Sequence, residues 1–305
     1  AGSEDRLAYL RRFGAVSLRA PSIMPHWKGA MTEYLDWKTD WDVVAWYDEL
    51  PLWSAPFGVM LLENVPLRRN MTVLDVGCGT GFPLVELAQR LGGTCKVCGL
   101  DPWQPALERA RRRLGALGVT NVELVEGSAE AMPFEDARFD LVVSNLGINN
   151  FDNAAAALAE ARRVLVPAGE IALTTNLCGH MALFYETYEE TLKELGRCEW
   201  LDSLDKHVRH RTTLENLTGM LTTAGFVVRR VEQRSVTMRF VDGAALLRHA
   251  FIRLTFLDAW RQVVPPAAET SVFEALERNL NRRAARDGCL ALTVPMAYVE
   301  AQAAG

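Results

Sequence analysis

Val73-Leu-Asp-Val-Gly-Cys-Gly-Thr-Gly81 constrains this chain more than any other stretch. An apolar run (Met71, Val73, Leu74, Val76) leads into three alternating glycines, and Leu84-Val-Glu-Leu-Ala-Gln-Arg90 follows. The order reads as a buried strand, a tight turn and a helix, which is a ligand-binding crossover. Glycine lets the backbone lie against a ligand and take positive φ. The spacing is G-x-G-x-G, not the G-x-G-x-x-G of dinucleotide folds, and the strand ends in Asp75, two residues before the first glycine. A pyrophosphate over this turn would be repelled by that carboxylate. A ligand carrying positive charge would not.

These residues resemble the class I S-adenosylmethionine (SAM)-dependent methyltransferases, and within them the small-molecule group called type 11. The resemblance implies that Gly77, Cys78, Gly79, Thr80 and Gly81 wrap the methionine end of SAM, whose ammonium and sulfonium suit Asp75 close behind. Lys96-Val-Cys-Gly-Leu-Asp101 reads as the second strand, and its terminal carboxylate lies 20 residues past Gly81. In the family such an acid takes both ribose hydroxyls, so Asp101, with Pro102 and Trp103 after it, is assigned to the cofactor. Val122-Glu-Leu-Val-Glu-Gly-Ser-Ala-Glu-Ala-Met-Pro-Phe134 resembles the third strand and adenine loop, with Ser128 and Ala129 at the contact; the family pattern has Asp where this chain has Ser128. Arg138 to Asn145 and Arg163 to Leu173 match the fourth strand, a helix end and the fifth strand, with Asn145 at the cofactor. The implied fold is α/β: a doubly wound, seven-stranded Rossmann-like sheet of order 3-2-1-4-5-7-6 with strand 7 antiparallel, a helical N-terminal cap and helical insertions. SAM is the cofactor and S-adenosyl-L-homocysteine its product.

At 305 residues the chain exceeds an ordinary single domain. We expect a helical cap over 1–65 and a SAM-binding core over 66–305, with a lid insertion at 177–211 and a helical insertion at 242–288. No apolar run approaches the roughly 20 residues of a membrane span, and no secretory h-region opens the sequence, so a cytoplasmic protein is expected. The net charge of −5 leaves no polyanion footprint, which argues against nucleic acid as substrate. Arg109, Arg111, Arg112 and Arg113 fall late in the helix after Asp101, where cations offset the dipole, and read as a solvated face. Cys95 and Cys98, three apart in a strand, point to opposite faces and cannot chelate together. His207-x-x-His210 matches no familiar zinc spacing, so no metal is expected.

The flanking elements carry the substrate question. Five of the eight tryptophans (Trp27, Trp37, Trp41, Trp46, Trp53) lie before residue 65, and Tyr47 and Trp53 are the candidates to reach the ligand. After the fifth strand, Met181, Phe184, Tyr185, Tyr188, Leu192 and Leu195 repeat at three and four, predicting a lid helix that brings Tyr185 and Tyr188 to the substrate. Thr212-x-x-Glu215 predicts a capping box, Phe226–Phe240 a long strand, and Asp242 and Ser271-x-x-Glu274 the caps of two inserted helices separated at Pro265-Pro266. Cys289 to Val299 supplies the last strand.

Ligands of open α/β sheets sit beyond the carboxyl ends of the strands, and the surfaces there are apolar and aromatic, which favours a small, partly hydrophobic acceptor. Transfer from a sulfonium requires no universal catalytic residue. A hydroxyl or carbon acceptor would also want a base, for which His180 at the exit of the fifth strand is the best-placed histidine; the other reading is a structural one. Asn149 and Asn150 either orient the acceptor or turn the chain. Ser144-Asn-Leu-Gly147 is not the Asn/Asp-Pro-Pro-aromatic signature of adenine or glutamine N-methyltransferases, and no Pro-Cys nucleophile of cytosine C5 enzymes follows it. A protein or RNA methyltransferase and a SAM-binding module without turnover stay open as alternatives, as do the methylated atom and the oligomeric state.

Overall fold

The computed structural model describes residues 52–209 and 211–304. The expected cap over 1–65 therefore lies largely outside the described residues, Tyr47 with it.

The described chain begins with α1 (Ser54–Asn64), then β1 (Thr72–Val76), α2 (Leu84–Leu91), β2 (Lys96–Asp101), α3 (Gln104–Leu117), β3 (Val122–Glu126), β4 (Phe139–Asn145) and α4 (Ala154–Val164). β5 (Leu165–Asn176), α5 (Ala182–Glu194), α6 (Leu201–Arg209), α7 (Leu214–Thr223) and β6 (Phe226–Phe240) follow. The last part holds α8 (Gly243–Arg248), a helical run over 250–261, α9 (Pro266–Asp287) and β7 (Leu290–Ala303). The seven strands hydrogen-bond in the order β3-β2-β1-β4-β5-β7-β6, parallel except for β7, which runs antiparallel to both neighbours. This is the doubly wound sheet the sequence implies. A strand feeding a helix and returning parallel buries both sheet faces, and side chains alternate accordingly. In β1, Val73 packs into one apolar cluster with α1 and α2, while Leu74 and Val76 pack into another with α4 and α7. Cys95 and Cys98 fall into these two different clusters, as a separation of three in extended chain requires.

β5 pairs with β7 only between Glu170 and Asn176, whereas the β6–β7 ladder continues to Phe240 opposite Leu290. The overhanging hairpin carries a third apolar cluster, in which Leu290 and Leu292 meet α5, α8, α9 and the 250–261 run. Phe184 stacks on Trp260 with ring centroids 3.8 Å apart, and both side chains are fully buried. The two tyrosine hydroxyls here are paired, as burial demands. Tyr188 Oη donates to the Trp260 carbonyl (3.1 Å), and Trp260 Nε1 donates to Tyr185 Oη (3.2 Å).

Three local expectations need correction. Thr213, not Thr212, caps α7, its Oγ1 accepting from Asn216 N–H at 3.1 Å. α9 starts at Pro266, five residues before Ser271, because proline at the first helical position has its φ preset and no N–H to lose. Ser271 instead donates back to the Ala268 carbonyl. The helix after Asp242 is not continuous: α8 ends at Arg248, and residues Arg253–Leu257 form a π turn within the 250–261 run.

Candidate active site

At the carboxyl ends of β1, β2, β4 and β5 lies a cavity of about 680 Å³. Its base is the glycine turn. Gly77, Gly79 and Gly81 have φ of +76°, +51° and +98°, values a side-chain-bearing residue adopts only under strain. A Cβ on Gly81 would also meet Val85 Cγ2 at 3.1 Å and Ala110 Cβ at 3.3 Å, so this glycine lets α2 and α3 close over the turn. The turn is tied to β2: Gly77 N–H and Cys78 N–H donate to the Leu100 carbonyl at 2.8 and 3.2 Å. Asp101 completes the tie, its Oδ2 accepting from Gly79 N–H (2.8 Å) and its Oδ1 from Trp103 N–H (2.9 Å). Each oxygen keeps a lone pair, so one carboxylate can hold the turn and still receive a pair of hydroxyls. Burial raises the Asp101 pKa, and the two amide bonds oppose that rise.

Asp75 stands behind the turn with no exposed surface and, among the described residues, no hydrogen-bond partner at either oxygen. Burial, with the Asp101 charge second, pushes its pKa up to about 7. A carboxylate left unpaired beside three positive-φ glycines suits a cationic ligand and opposes a pyrophosphate. The donor set therefore fits SAM: the turn for its methionine end, Asp101 for its ribose, and the orphan carboxylate of Asp75, off the cavity wall, for an attraction across the turn to its positive charge.

The other end of the cavity is of different character. Trp53, Phe251 and Phe256 form an aromatic wall, with Trp53 5.8 Å from Phe251 and 5.2 Å from Phe256 between centroids. Phe82 closes it toward α1, lying where a Cβ on Gly58 would be. Opposite, the strand ends form a polar shelf. Asn149 Nδ2 donates to Thr175 Oγ1 (2.6 Å) and Asn176 Oδ1 (2.7 Å), and Asn145 Oδ1 accepts from Thr174 Oγ1 (2.7 Å). Asn176 Nδ2 and Thr255 Oγ1 are buried beneath the cavity wall without a partner among the described residues.

Of the sequence candidates, Gly77, Cys78, Gly79, Thr80, Asp101, Trp103, Asn145, Asn149 and Trp53 line this cavity. Gly81 packs between the helices behind it, and Asp75, Pro102, Ser128 and Ala129 stand off its wall. Ser128 Oγ is engaged with the Glu130 carboxylate, the local partner an Asx-like loop offers.

Three further candidates lie off the cavity wall. Tyr185 and Tyr188 face the inner cluster, because the apolar stripe of α5 buries against β7 and α9 rather than covering the cavity. His180 is 3% exposed, off the cavity wall, with its ring against Tyr185 and Phe256 and Nε2 unpartnered. Burial, then the charges of Arg211 and His207, depress its pKa to about 3. Such an imidazole is neutral at pH 7, and it is too weak and too enclosed for the near-neutral base the sequence position suggested.

Sequence reasoning missed Arg113, whose Nη1 donates to the Thr80 carbonyl at 3.2 Å, and Arg211, Phe251 and Phe256. The arginine run signalled only a solvated face, and the insertion only an apolar one. Among the described residues no group of three or more His, Cys, Asp or Glu could hold a metal, and His207 Nε2 lies 3.2 Å from Tyr185 Oη; His210 lies outside the described residues.

A family model for the methyltransferase domain matches residues 67–225, which is more than half of the chain and includes the turn, Asp101 and the asparagine shelf. The chain belongs to the class I SAM-dependent methyltransferases. Its relatives include a 37.1 kDa protein of transposon TN4556 from Streptomyces fradiae, 31% identical over 206 residues, covering 67% of this chain and 57% of that protein. They also include demethylmenaquinone methyltransferase of Staphylococcus aureus, 33% identical over 128 residues, covering 42% of this chain and 52% of the relative. The chain thus spans little more than half the length of these two relatives. The crystal structure of a Bacillus halodurans protein described as a methyltransferase shares the fold, with a TM-score of 0.55 at 24% identity over 81% of this chain and 99% of that one. Among the described residues no helix of this methyltransferase is long and apolar enough to cross a membrane.

Proposed function

We propose that this methyltransferase acts on a small, partly hydrophobic acceptor seated between the aromatic wall and the asparagine shelf, within the cytoplasm. One observation carries the reading: a single cavity holds the glycine turn with Asp101 at one end and Trp53, Phe251 and Phe256 at the other. Volumes of roughly 300–1,000 Å³ with apolar walls and a few placed polar groups are typical of small-molecule sites. The Staphylococcus aureus relative is named for demethylmenaquinone, a small molecule, which supports the same class.

When bound, SAM supplies a methyl group on a sulfonium, a leaving group that is already activated. The protein's part is then positioning. Asp101 fixes the turn and accepts two hydroxyls, Asn149 and Asn176 orient a polar group of the acceptor, and the aromatic wall excludes water from the line of transfer. Holding two reactants in a near-attack geometry can supply roughly 7–11 kcal/mol of the barrier, enough to dispense with a covalent step. The test is incubation with methyl-labelled SAM and a panel of small aromatic acceptors alongside unfractionated protein and RNA. A small molecule gaining one labelled methyl is expected; label appearing only in protein or RNA would overturn the reading.

A further inference from the structure

Arg211 is a cation on the wall of the cavity. It lines the cavity at the aromatic end, close enough to His180 and Tyr185 for its charge to act on both. It is half-buried and, among the described residues, no carboxylate pairs with it. Buried guanidinium groups are ordinarily paired, because removing the charge from water is otherwise uncompensated. Burial lowers its pKa, yet an arginine remains charged. Beneath the same wall a second donor, Asn176 Nδ2, is buried with no partner among the described residues. The converse group is missing: among the described residues no imidazole lines the cavity, and its carboxylate, Asp101, is held by two amides at the far end. The described residues at this end therefore offer donors and positive charge but nothing to take a proton.

Resting on the proposed methyl transfer to a small acceptor, we propose that the acceptor binds as an anion, its apolar body on Trp53, Phe251 and Phe256 and its anionic oxygens on Arg211. The class is an aromatic or otherwise apolar molecule carrying a carboxylate or an ionised acidic hydroxyl. A guanidinium presents a planar fork of N–H groups that matches two oxygens, and a charge-assisted pair of this kind is roughly twice as strong as a neutral one. An acceptor that arrives ionised has no proton to give up, which accounts for a wall without a base.

The test compares 2-naphthoate with its neutral isostere 2-naphthamide by calorimetry on the full chain saturated with S-adenosylhomocysteine. Naphthoate is expected to bind at least tenfold more tightly. Arg211→Gln should remove that preference while leaving naphthamide and S-adenosylhomocysteine within about threefold, and Arg211→Lys should restore part of it. Equal binding of the two probes, binding of neither, or a preference that survives Arg211→Gln overturns the proposal even though S-adenosylhomocysteine binds. Failure of S-adenosylhomocysteine itself to bind the wild type would instead sink the methyltransferase reading beneath it.

Discussion

Asp75→Asn is expected to gain about 4 kcal/mol of stability relative to the wild type, both ligand-free, as the pH rises from about 4 to 8. The cause is a carboxyl group that is completely buried and has no partner, so that its pKa rises from 3.8 to about 7. Between those values the folded chain still holds a proton that the unfolded chain has released. Raising the pH through that window therefore favours unfolding, and the penalty is complete above about pH 7. Asparagine occupies the same space without a charge to desolvate, so in thermal or urea unfolding at a series of pH values the difference between the two proteins, in which His180 and the other shared groups cancel, should widen as the pH rises. A bound cation inverts the effect. Near a sulfonium and an ammonium the carboxylate is favoured, so SAM should bind more tightly as the pH climbs from about 6 to 8, and this dependence too should vanish in Asp75→Asn. Parallel pH–stability curves for the two proteins would mean that Asp75 is ionised in the folded chain and held by a cation or donor outside the described residues.

Arg248→Met is expected to cost about 3–5 kcal/mol, the effect of leaving a buried charge without its partner. Arg248 Nη1 donates to Glu277 Oε1 at 3.1 Å across α8 and α9, and the Glu277 side chain is only 5% exposed. Its other oxygen has no partner, and burial already raises its pKa against the opposing pull of Arg248. Removing the arginine leaves the desolvation, with the charges of Asp242 and Glu274 acting in the same direction. The double variant Arg248→Met with Glu277→Leu should recover most of the loss, because a pair of apolar side chains has no charge to strand. Urea denaturation of the three variants closes the cycle; a double variant no more stable than Arg248→Met would show that the arginine acts through packing alone. The pair matters to function because α8 and α9 support the 250–261 run that presents Phe251 and Phe256 to the cavity.

How far the sequence reveals this molecule depends on the range of the forces involved. β2 and β6 run from Lys96 to Asp101 and from Phe226 to Phe240 as the sequence predicts, since apolar patterning and the adjoining glycines act over a few residues. The strand order follows from the family resemblance, and the glycine turn with Asp101 is legible because close backbone approach leaves few residue choices. The acceptor end is not legible. The stripe of α5 is readable as an apolar face, yet nothing local says whether that face meets a ligand or Trp260, and the long β6–β7 overhang decides it for Trp260. Phe256 sits in a π turn, where one extra residue per turn shifts the helical register and no sequence periodicity survives. Arg211 lies in a connecting segment between α6 and α7 whose place at the cavity is set by tertiary packing. His180 shows the opposite error: position along the chain placed it at the strand exit, while burial decides its chemistry.

Calorimetry of wild type and Asp101→Ala with S-adenosylhomocysteine, each repeated with NAD, bears most directly on the claim that this glycine turn is a SAM site. Asp101 joins the turn to β2 through the Gly79 and Trp103 amides and keeps lone pairs for the ribose. Losing hydrogen bonds to a charged group costs about 1.5–3 kcal/mol, so Asp101→Ala should weaken S-adenosylhomocysteine by about tenfold to a hundredfold, with NAD silent in both proteins. Tight binding of NAD to the wild type, or an Asp101→Ala protein that holds S-adenosylhomocysteine as well as its parent, would contradict the account.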